Sequence, residues 1–400
     1  MPSLQRKSRH SWIFSEVFSM QTSRIVQLLG SLRLTVVCLV CAAIIVFWGT
    51  MAQVEIGVYA AQQNFFRSWF ITATLPGTEV RLPVFPGGYL VGGITALNMV
   101  FALIQRRRTA TQSPGLWLTH AGLLLLLIGQ FSTDMLAVES VMRLVEGQPQ
   151  WYSEDQRKVE LAIVETTLPD HNVVTAIPQA LLARKSEFGT PELPFKVKVR
   201  RFMANSVPVE NADAGADLIT NHGAARQASF RETPHQYSGD RRDMPTAEIE
   251  LLGPQGSMGT WVASLWLTKT QPLNISNRTF ELSLRPVRYY KPFALELARF
   301  KHEKYPGSAI PRNFESDVRI INPEKGENRN VRIRMNNPLR YYGETYYQSG
   351  YDERDPRVSI LQVVRNPAWV TPYISCALIC LGLAHRFTSH LITFTKGFRK

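Results

Sequence analysis

The chain has 400 residues, of which 45% are hydrophobic, and its 45 lysine and arginine residues outnumber its 32 aspartate and glutamate residues, giving a net charge of +13. Much of the positive excess flanks apolar segments, so the charge does not by itself indicate a nucleic-acid partner. No GxxxxGK[ST], GxSxG or HExxH motif occurs, which argues against the commonest NTPase, hydrolase and metalloprotease sites. No CxxCH motif occurs either, so the chain is not itself a c-type cytochrome.

Four apolar segments are long enough to cross a bilayer, and they lie at residues 34–52, 88–104, 116–136 and 369–387. The first is longer than the apolar core of a signal peptide and follows more than thirty residues, so we interpret it as an uncleaved anchor. All four cysteines, Cys38, Cys41, Cys376 and Cys380, fall inside these segments. Lipid does not favour a reactive thiolate, so small apolar packing is their predicted role.

Basic residues precede the first apolar segment, fill the loop around Arg106, Arg107 and Arg108, and follow the fourth segment. Since positive residues mark cytoplasmic loops, both termini are predicted to be cytoplasmic, in the inner membrane of a bacterial cell. The predicted organisation is a cytoplasmic segment at 1–33, a three-span region at 34–136, an exported domain at 137–368, a fourth span at 369–387 and a cytoplasmic tail at 388–400.

The exported segment has the alternating pattern of β-strands. Short strands are predicted at 158–164, 195–201, 246–252, 260–267, 279–284, 317–321, 331–335 and 359–364. The predicted fold class is therefore an α+β membrane protein with a large exported β-rich domain of the sandwich or barrel-like type. Other segments are predicted to be interfacial helices (11–20 and 60–71), a long surface loop (205–239) and an amphipathic helix (293–304).

His120 is an ionisable residue inside the third apolar segment. Gly115, Gly122 and Gly129 recur every seven residues, which predicts a narrow helix face where another helix can approach closely. His120 points about 200° away from that face. Because ionisable residues within membrane spans usually serve function, His120 is a candidate ligand; the alternative is a histidine hydrogen-bonded to a neighbouring helix.

The other histidines give weaker signals. His171, His222, His235 and His302 are scattered singly through the exported segment, so no zinc site is predicted. His385 lies beside Arg386 at the basic end of the fourth apolar segment, where anchoring at the membrane interface is the simpler interpretation.

Three stretches have a distinctive sequence. They are LGSLRLTVV at 29–37, the histidine-bearing segment 117–129, and PLRYYGETYYQSGYD at 338–352, which is followed by LQVVRNPAW at 361–369. Together with the order of three spans, a β-rich domain and one span, these stretches resemble the ResB family of cytochrome c biogenesis proteins.

The resemblance implies a subunit of the system II cytochrome c assembly complex, which carries haem b across the membrane and supports its attachment to CxxCH apocytochrome c. It implies a CcsA/ResC-type membrane protein with a tryptophan-rich WWD loop as partner, because this sequence has no such loop. The chain would not be an enzyme on its own but would contribute to a haem lyase complex. By the same resemblance, His120 is an axial ligand of the haem iron, opposite a histidine of the partner.

The segment before the fourth span is a candidate contact surface for the partner or for membrane lipids. Its candidate residues are Arg340, Tyr341, Tyr342, Tyr346, Tyr347 and Gln348. An ordinary strand pair with aromatic contacts is the alternative interpretation of the tyrosines. The alternative function is a membrane-anchored adaptor or sensor whose exported β-domain binds a protein or small ligand without handling haem.

Overall fold

The computed structural model describes residues 24–75, 78, 80–105, 114–184, 186–209, 222–223, 229–235, 242–307 and 311–397. The chain divides into two compact units, which we call the membrane unit (residues 1–137 and 367–400) and the β unit (residues 138–366). The predicted helix at 11–20 and the basic residues 106–108 lie outside the described residues.

Within the described part of the membrane unit, four helices are long and apolar enough to cross a membrane. After the short helix α1 (Arg24–Leu29), these are α2 (Leu32–Ile56), α4 (Gly88–Gln105), α5 (Pro114–Leu136) and α7 (Thr371–Gly397). They correspond to the four predicted spans. The last helix continues well beyond residue 387, where the cytoplasmic tail was predicted to begin.

The predicted interfacial helix at 60–71 is only partly right. Helix α3 (Val58–Ala61) and a π-helical turn (Gln62–Phe66) are followed by strand β1 (Phe70–Thr74), which pairs with β2 (Arg81–Pro86). The sequence of β1, FITAT, is rich in β-branched and aromatic residues. These residues favour a strand over the continuation of a helix.

A buried amide on α4 holds the start of α2. Asn98, 1% exposed, donates hydrogen bonds from Nδ2 to the carbonyl oxygens of Leu29 (2.6 Å) and Ser31 (3.1 Å), and its Oδ1 accepts from the Thr35 hydroxyl at 2.7 Å. The Ser31 hydroxyl caps α2 by accepting from the backbone N–H of Leu34. The distinctive sequence at 29–37 therefore encodes a helix start that is tied to a second helix.

The glycine face of α5 contacts α7, as the seven-residue spacing predicted. Gly115, Gly122 and Gly129 are all buried. A Cβ atom built on Gly115 would lie 2.6 Å from the carbonyl oxygen of Gly382, and one on Gly122 would lie 2.8 Å from Cγ1 of Ile379. Only a residue without a side chain lets the two backbones come this close.

Gly122→Leu should therefore separate α5 from α7 and destabilise the protein by about 2 kcal/mol or more, the usual scale of overpacking. The measurement is thermal unfolding of the full chain in detergent. Gly93→Leu on α4 is the matched control, because nothing lies within 4 Å of a Cβ atom at Gly93. Equal melting temperatures for the two variants would contradict the glycine contact.

The β unit contains sixteen of the numbered strands and one short helix, α6 (Gln179–Leu182). The strands are β3 (Val138–Val145), β4 (Pro149–Glu165), β5 (Val173–Pro178), β6 (Glu187–Phe188), β7 (Lys196–Met203), β8 (Ser206–Val209), β9 (Ser229–Glu232), β10 (Thr246–Gly253), β11 (Gly256–Ser264), β12 (Gln271–Ile275), β13 (Arg278–Lys304), β14 (Pro311–Asn322), β15 (Glu327–Arg334), β16 (Leu339–Tyr341), β17 (Glu344–Tyr351) and β18 (Val358–Arg365).

A ten-stranded sheet dominates this unit, with the order β15-β14-β13-β4-β3-β18-β17-β16 and with β5 and β12 paired to β4 and β13. Strand β15 at one edge also contacts β16 and β17 at the other, so this part of the sheet forms a nearly closed barrel. A four-stranded sheet, β11-β10-β7-β6, packs on the region of β4, β5 and β12. The predicted β-rich domain is confirmed, and it combines a sandwich with a barrel-like part.

The two parts have separate hydrophobic cores. The sandwich core includes Leu161, Val197, Ile249 and Phe280, and the barrel core includes Met142 and its neighbours on β13, β14 and β18. Both cores take residues from the 27-residue strand β13. Register shifts occur beside its two prolines, Pro286 and Pro292, as expected for residues that cannot donate to a strand ladder.

The predicted helix at 293–304 is wrong, because this segment is the second half of β13. Phe293, Leu295 and Leu297 alternate into the barrel core, and Leu295 pairs with Ile320 of β14. The segment is rich in alanine, leucine, glutamate and lysine, which favour helices in isolation. Pairing with β4 and β14 on either side overrides that preference.

The predicted loop at 205–239 is also partly wrong. Its described ends form the paired strands β8 and β9, and Phe230 packs into a small core with Met203 and Val262. Most of the intervening residues lie outside the described part of the chain.

Candidate functional site

The imidazole of His120 forms a hydrogen bond within its own helix. Its Nδ1 lies 2.9 Å from the carbonyl oxygen of Leu116, one turn earlier on α5. A carbonyl oxygen can only accept, so Nδ1 carries a proton, and in the neutral imidazole Nε2 then keeps its lone pair. Within the described residues Nε2 has no hydrogen-bond partner, and a neutral imidazole in this state can coordinate a metal ion.

The same face of α5 lines a cavity of about 730 Å³ that is also bordered by α2, α4 and the π-helical turn. Leu127 and Phe131 of α5 line it, and at 100° per residue both lie within about 20° of the direction of His120. Gly92 and Gly93 leave the opposite wall open. The α5 helix thus presents its glycines to α7 and its histidine to the side that carries the cavity, but His120 itself lies about two turns before Leu127 and does not line the cavity.

An ion pair that the sequence reasoning missed lies at the far end of this cavity. Arg67 Nε lies 2.6 Å from Asp134 Oδ1, and the Tyr89 hydroxyl donates to the other carboxylate oxygen. The rings of Trp69 and Phe131 pack edge-on against Tyr89. The available signal was Asp134, a second ionisable residue inside the predicted third span.

The residues of the membrane unit fit one axial ligand to a haem iron. The structure describes two other histidines there, His385 and His390, both on α7. His385 contacts the region of Gly115 on the opposite face of α5, so it does not face His120, and His390 lies more than one turn further along α7. Trp117 lies one turn before His120, and its indole Nε1 is buried without a hydrogen-bond partner in the described part of the chain.

The tyrosine-rich segment in the β unit forms a hairpin. Tyr341 pairs with Glu344, so the loop between β16 and β17 contains only Tyr342 and Gly343, with φ angles of 54° and 75°. Two positive φ angles define the favoured two-residue hairpin turn. Glycine adopts this conformation without strain, whereas Tyr342 is an unfavourable residue for it.

Phe293 on β13 lies under the hairpin, with ring centroids 4.7 Å from Tyr341 and 5.4 Å from Tyr342. The hairpin also surrounds a buried ion pair: Lys291 Nζ lies 2.5 Å from Glu344 Oε1, and the side chains are 7% and 13% exposed. The Tyr346 hydroxyl donates to Glu344 Oε2 at 2.7 Å. Burial, reinforced by this carboxylate, raises the pKa of Tyr346.

Gln348 is held by internal hydrogen bonds. Its Oε1 accepts from the Ser316 hydroxyl at 2.6 Å, and its Nε2 donates to the Gly350 carbonyl and to the Ser359 hydroxyl. The amide thus joins three strands of the barrel, β14, β17 and β18. This position gives Gln348 a structural role.

The predicted contact residues thus divide by exposure. Tyr346 is fully buried and has no surface to offer a partner, and Tyr341 is half-buried. Arg340, Tyr342 and Tyr347 are exposed. Partner binding by this segment stays a prediction, and these last three residues are the ones able to make direct contact.

The family model described as the ResB-like family matches residues 253–360. This range contains the hairpin at 338–352 and confirms the expected resemblance there; the stretches at 29–37 and 117–129 lie outside it. Protein NrfI of Wolinella succinogenes is 32% identical over 120 residues, which cover 30% of this chain and 12% of that protein. With its four apolar helices, the chain is a membrane protein.

Proposed function

We propose, from the similarity to the ResB-like family and from the face of α5 that carries His120, that the chain is a subunit of a cytochrome c assembly complex that handles haem b. The single observation that carries the haem assignment is the His120 imidazole. Its Nδ1 donates to the Leu116 carbonyl oxygen, and in the neutral ring this leaves Nε2 to bind iron.

Haem is the cargo in this proposal. Its iron can bind an imidazole as an axial ligand, and its propionate groups are carboxylates that cationic side chains can bind. The Leu116 carbonyl fixes the plane of the His120 ring and increases the basicity of Nε2. The neighbouring cavity on this side of α5 is lined mostly by apolar residues. A histidine of a CcsA/ResC-type partner with a WWD loop would provide the second axial ligand, and the partner would present the haem to apocytochrome c.

This proposal requires the β unit to be exported. Protease added to spheroplasts should therefore cleave within residues 205–239, while the same sites are protected in inside-out vesicles. The control is cleavage of a tag at the C-terminus, which should show the opposite pattern. Protection of residues 205–239 in spheroplasts would contradict the orientation.

The exposed residues of the hairpin are the proposed contact with the partner. Replacing Arg340 and Tyr347 by alanine should reduce co-purification with the WWD-loop protein by about tenfold, since arginine and tyrosine often dominate interface energies. Lys198→Ala, an exposed residue on β7 of the same unit, is the matched control. Unchanged co-purification at equal expression would restrict the hairpin to a structural role.

The proposed function is tested by co-expressing the chain with the WWD-loop protein and an apocytochrome c in a host without its own assembly system. The complex should contain haem by its absorption spectrum, and covalent cytochrome c should form only when both proteins are present. Normal cytochrome c formation without this chain would contradict the proposal.

A further inference from the structure

The β unit contains a second cavity, of about 790 Å³, which lies outside both regions described above. Its walls come from β4, β5, the first half of β13, Arg242 and the segment after β11. The volume is in the range of cavities that bind small molecules. Part of its wall is apolar and includes Val164, Val174, Leu265 and Leu267.

Two cations in this lining are held in ion pairs. Arg285 Nε lies 3.0 Å from Glu160 Oε1, and both side chains are about one-tenth exposed. Arg288 Nε lies 3.0 Å from Glu154 Oε1, and its guanidinium also packs over the ring of Tyr152. These pairs organise the wall and leave little uncompensated charge.

Two further cations are not compensated in this way. Neither Arg242 nor Lys269 has a carboxylate within ion-pair distance among the residues that the structure describes. Burial lowers the pKa of Arg242, and the more distant charges of Glu154 and Asp155 offset this only in part. Glu281 is the single carboxylate among the described lining residues. A bound anion would therefore stabilise the charged form of Arg242.

We propose that this cavity binds an amphipathic ligand through its carboxylate groups, which would lie against Arg242 and Lys269 while its apolar body lies against the leucine and valine wall. The identity of that ligand rests on the proposed function: haem b is the amphipathic dicarboxylate that such a protein handles. Arginine is well suited to the role because its planar guanidinium can bind a carboxylate with two hydrogen bonds. The β unit thereby holds the propionate end of the cargo.

The test uses the full chain in detergent, with iron-free protoporphyrin IX and its dimethyl ester as fluorescent probes. Iron-free porphyrin needs no axial ligand, so its binding reports the cavity independently of His120. We expect the free acid to bind at least about tenfold more tightly than the ester, and Arg242→Ala with Lys269→Ala to abolish this difference. Lys269→Glu, at an exposed position, is a second variant that preserves the fold and should also lose the preference for the free acid. Lys198→Ala is the control and should keep the preference.

Equal binding of acid and ester, or an unchanged preference in both cavity variants, would overturn the inference. Loss of the preference in His120→Ala together with its retention in the cavity variants would also overturn it, by placing the porphyrin in the membrane unit. The proposed function has a different test: it fails if His120→Ala keeps full haem content and normal cytochrome c formation, whatever the porphyrin measurements show.

Discussion

His120→Ala should remove haem from the purified two-protein complex and abolish c-type cytochrome formation, while the protein remains folded and inserted. The imidazole Nε2 is the one described donor on this face of α5 that suits haem iron, and alanine cannot replace it. The loss costs the fold little, because the local bond to Leu116 is the one hydrogen bond of His120 within the described part of the chain. Haem content is measured by absorption spectroscopy of the complex, and maturation by haem staining of c-type cytochromes.

His385→Ala is the matched control for this experiment, since it removes a histidine from the same unit but from the other side of α5. This variant should keep normal haem content. Imidazole added to the His120→Ala protein should restore part of the activity by occupying the vacant iron position. Full haem content and normal cytochrome c in His120→Ala would make the residue a packing residue and would change the assigned role from haem handling to scaffolding.

Glu344→Leu should destabilise the protein by about 3 kcal/mol, the lower end of the range for breaking a buried ion pair by removing one partner. The substitution leaves the ammonium group of Lys291 buried without its carboxylate and removes the acceptor of the Tyr346 hydroxyl. Chemical denaturation of the full chain, followed by tryptophan fluorescence, measures the change in the free energy of unfolding.

The control is the triple variant with Lys291→Met, Glu344→Leu and Tyr346→Phe, which removes both charges and also the hydroxyl that donates to Glu344. Its stability should return to within about 1 kcal/mol of the unmodified protein, because apolar replacement of a whole buried pair is often neutral. If the triple variant is as unstable as Glu344→Leu, the loss of the ion pair and of its hydrogen bond is not the origin of the effect.

The sequence predicted the membrane helices well because their signals are local. Each span is a continuous apolar segment, and Gly115, Gly122 and Gly129 mark the contact with α7 by spacing alone. The link from Asn98 to Leu29 and Ser31 joins residues almost seventy positions apart. No local pattern encodes such a bond, although the polar side chain within an apolar segment was a signal that something must satisfy it.

In the β unit, the sequence identified most strands but not their partners. The segment at 293–304 has helix-forming residues, and only its neighbours on either side determine that it is a strand. Sequence reasoning also treated the tyrosines of 341–347 as one surface. The alternation of β17 buries Tyr346 and exposes Tyr347, a division that depends on the register with β18.

Candidate site residues were predictable when one residue was chemically unusual for its surroundings, as His120 is. The ion pair of Arg67 and Asp134 was missed because only folding brings the two residues together, although Asp134 inside an apolar segment was a signal. The same holds for Arg242 and Lys269, which lie in separate segments and become notable only in a shared cavity.

The position of β18 has a consequence for synthesis. This last strand lies between β3, the first strand of the β unit, and β17. Until residues 358–365 have left the ribosome, β3 and β17 each have an unpaired edge where β18 belongs, and unpaired edges invite aggregation and proteolysis. The sheet is therefore completed only when more than two hundred residues that follow the start of β3 have been made, and a chain truncated before β18 would keep both edges unpaired.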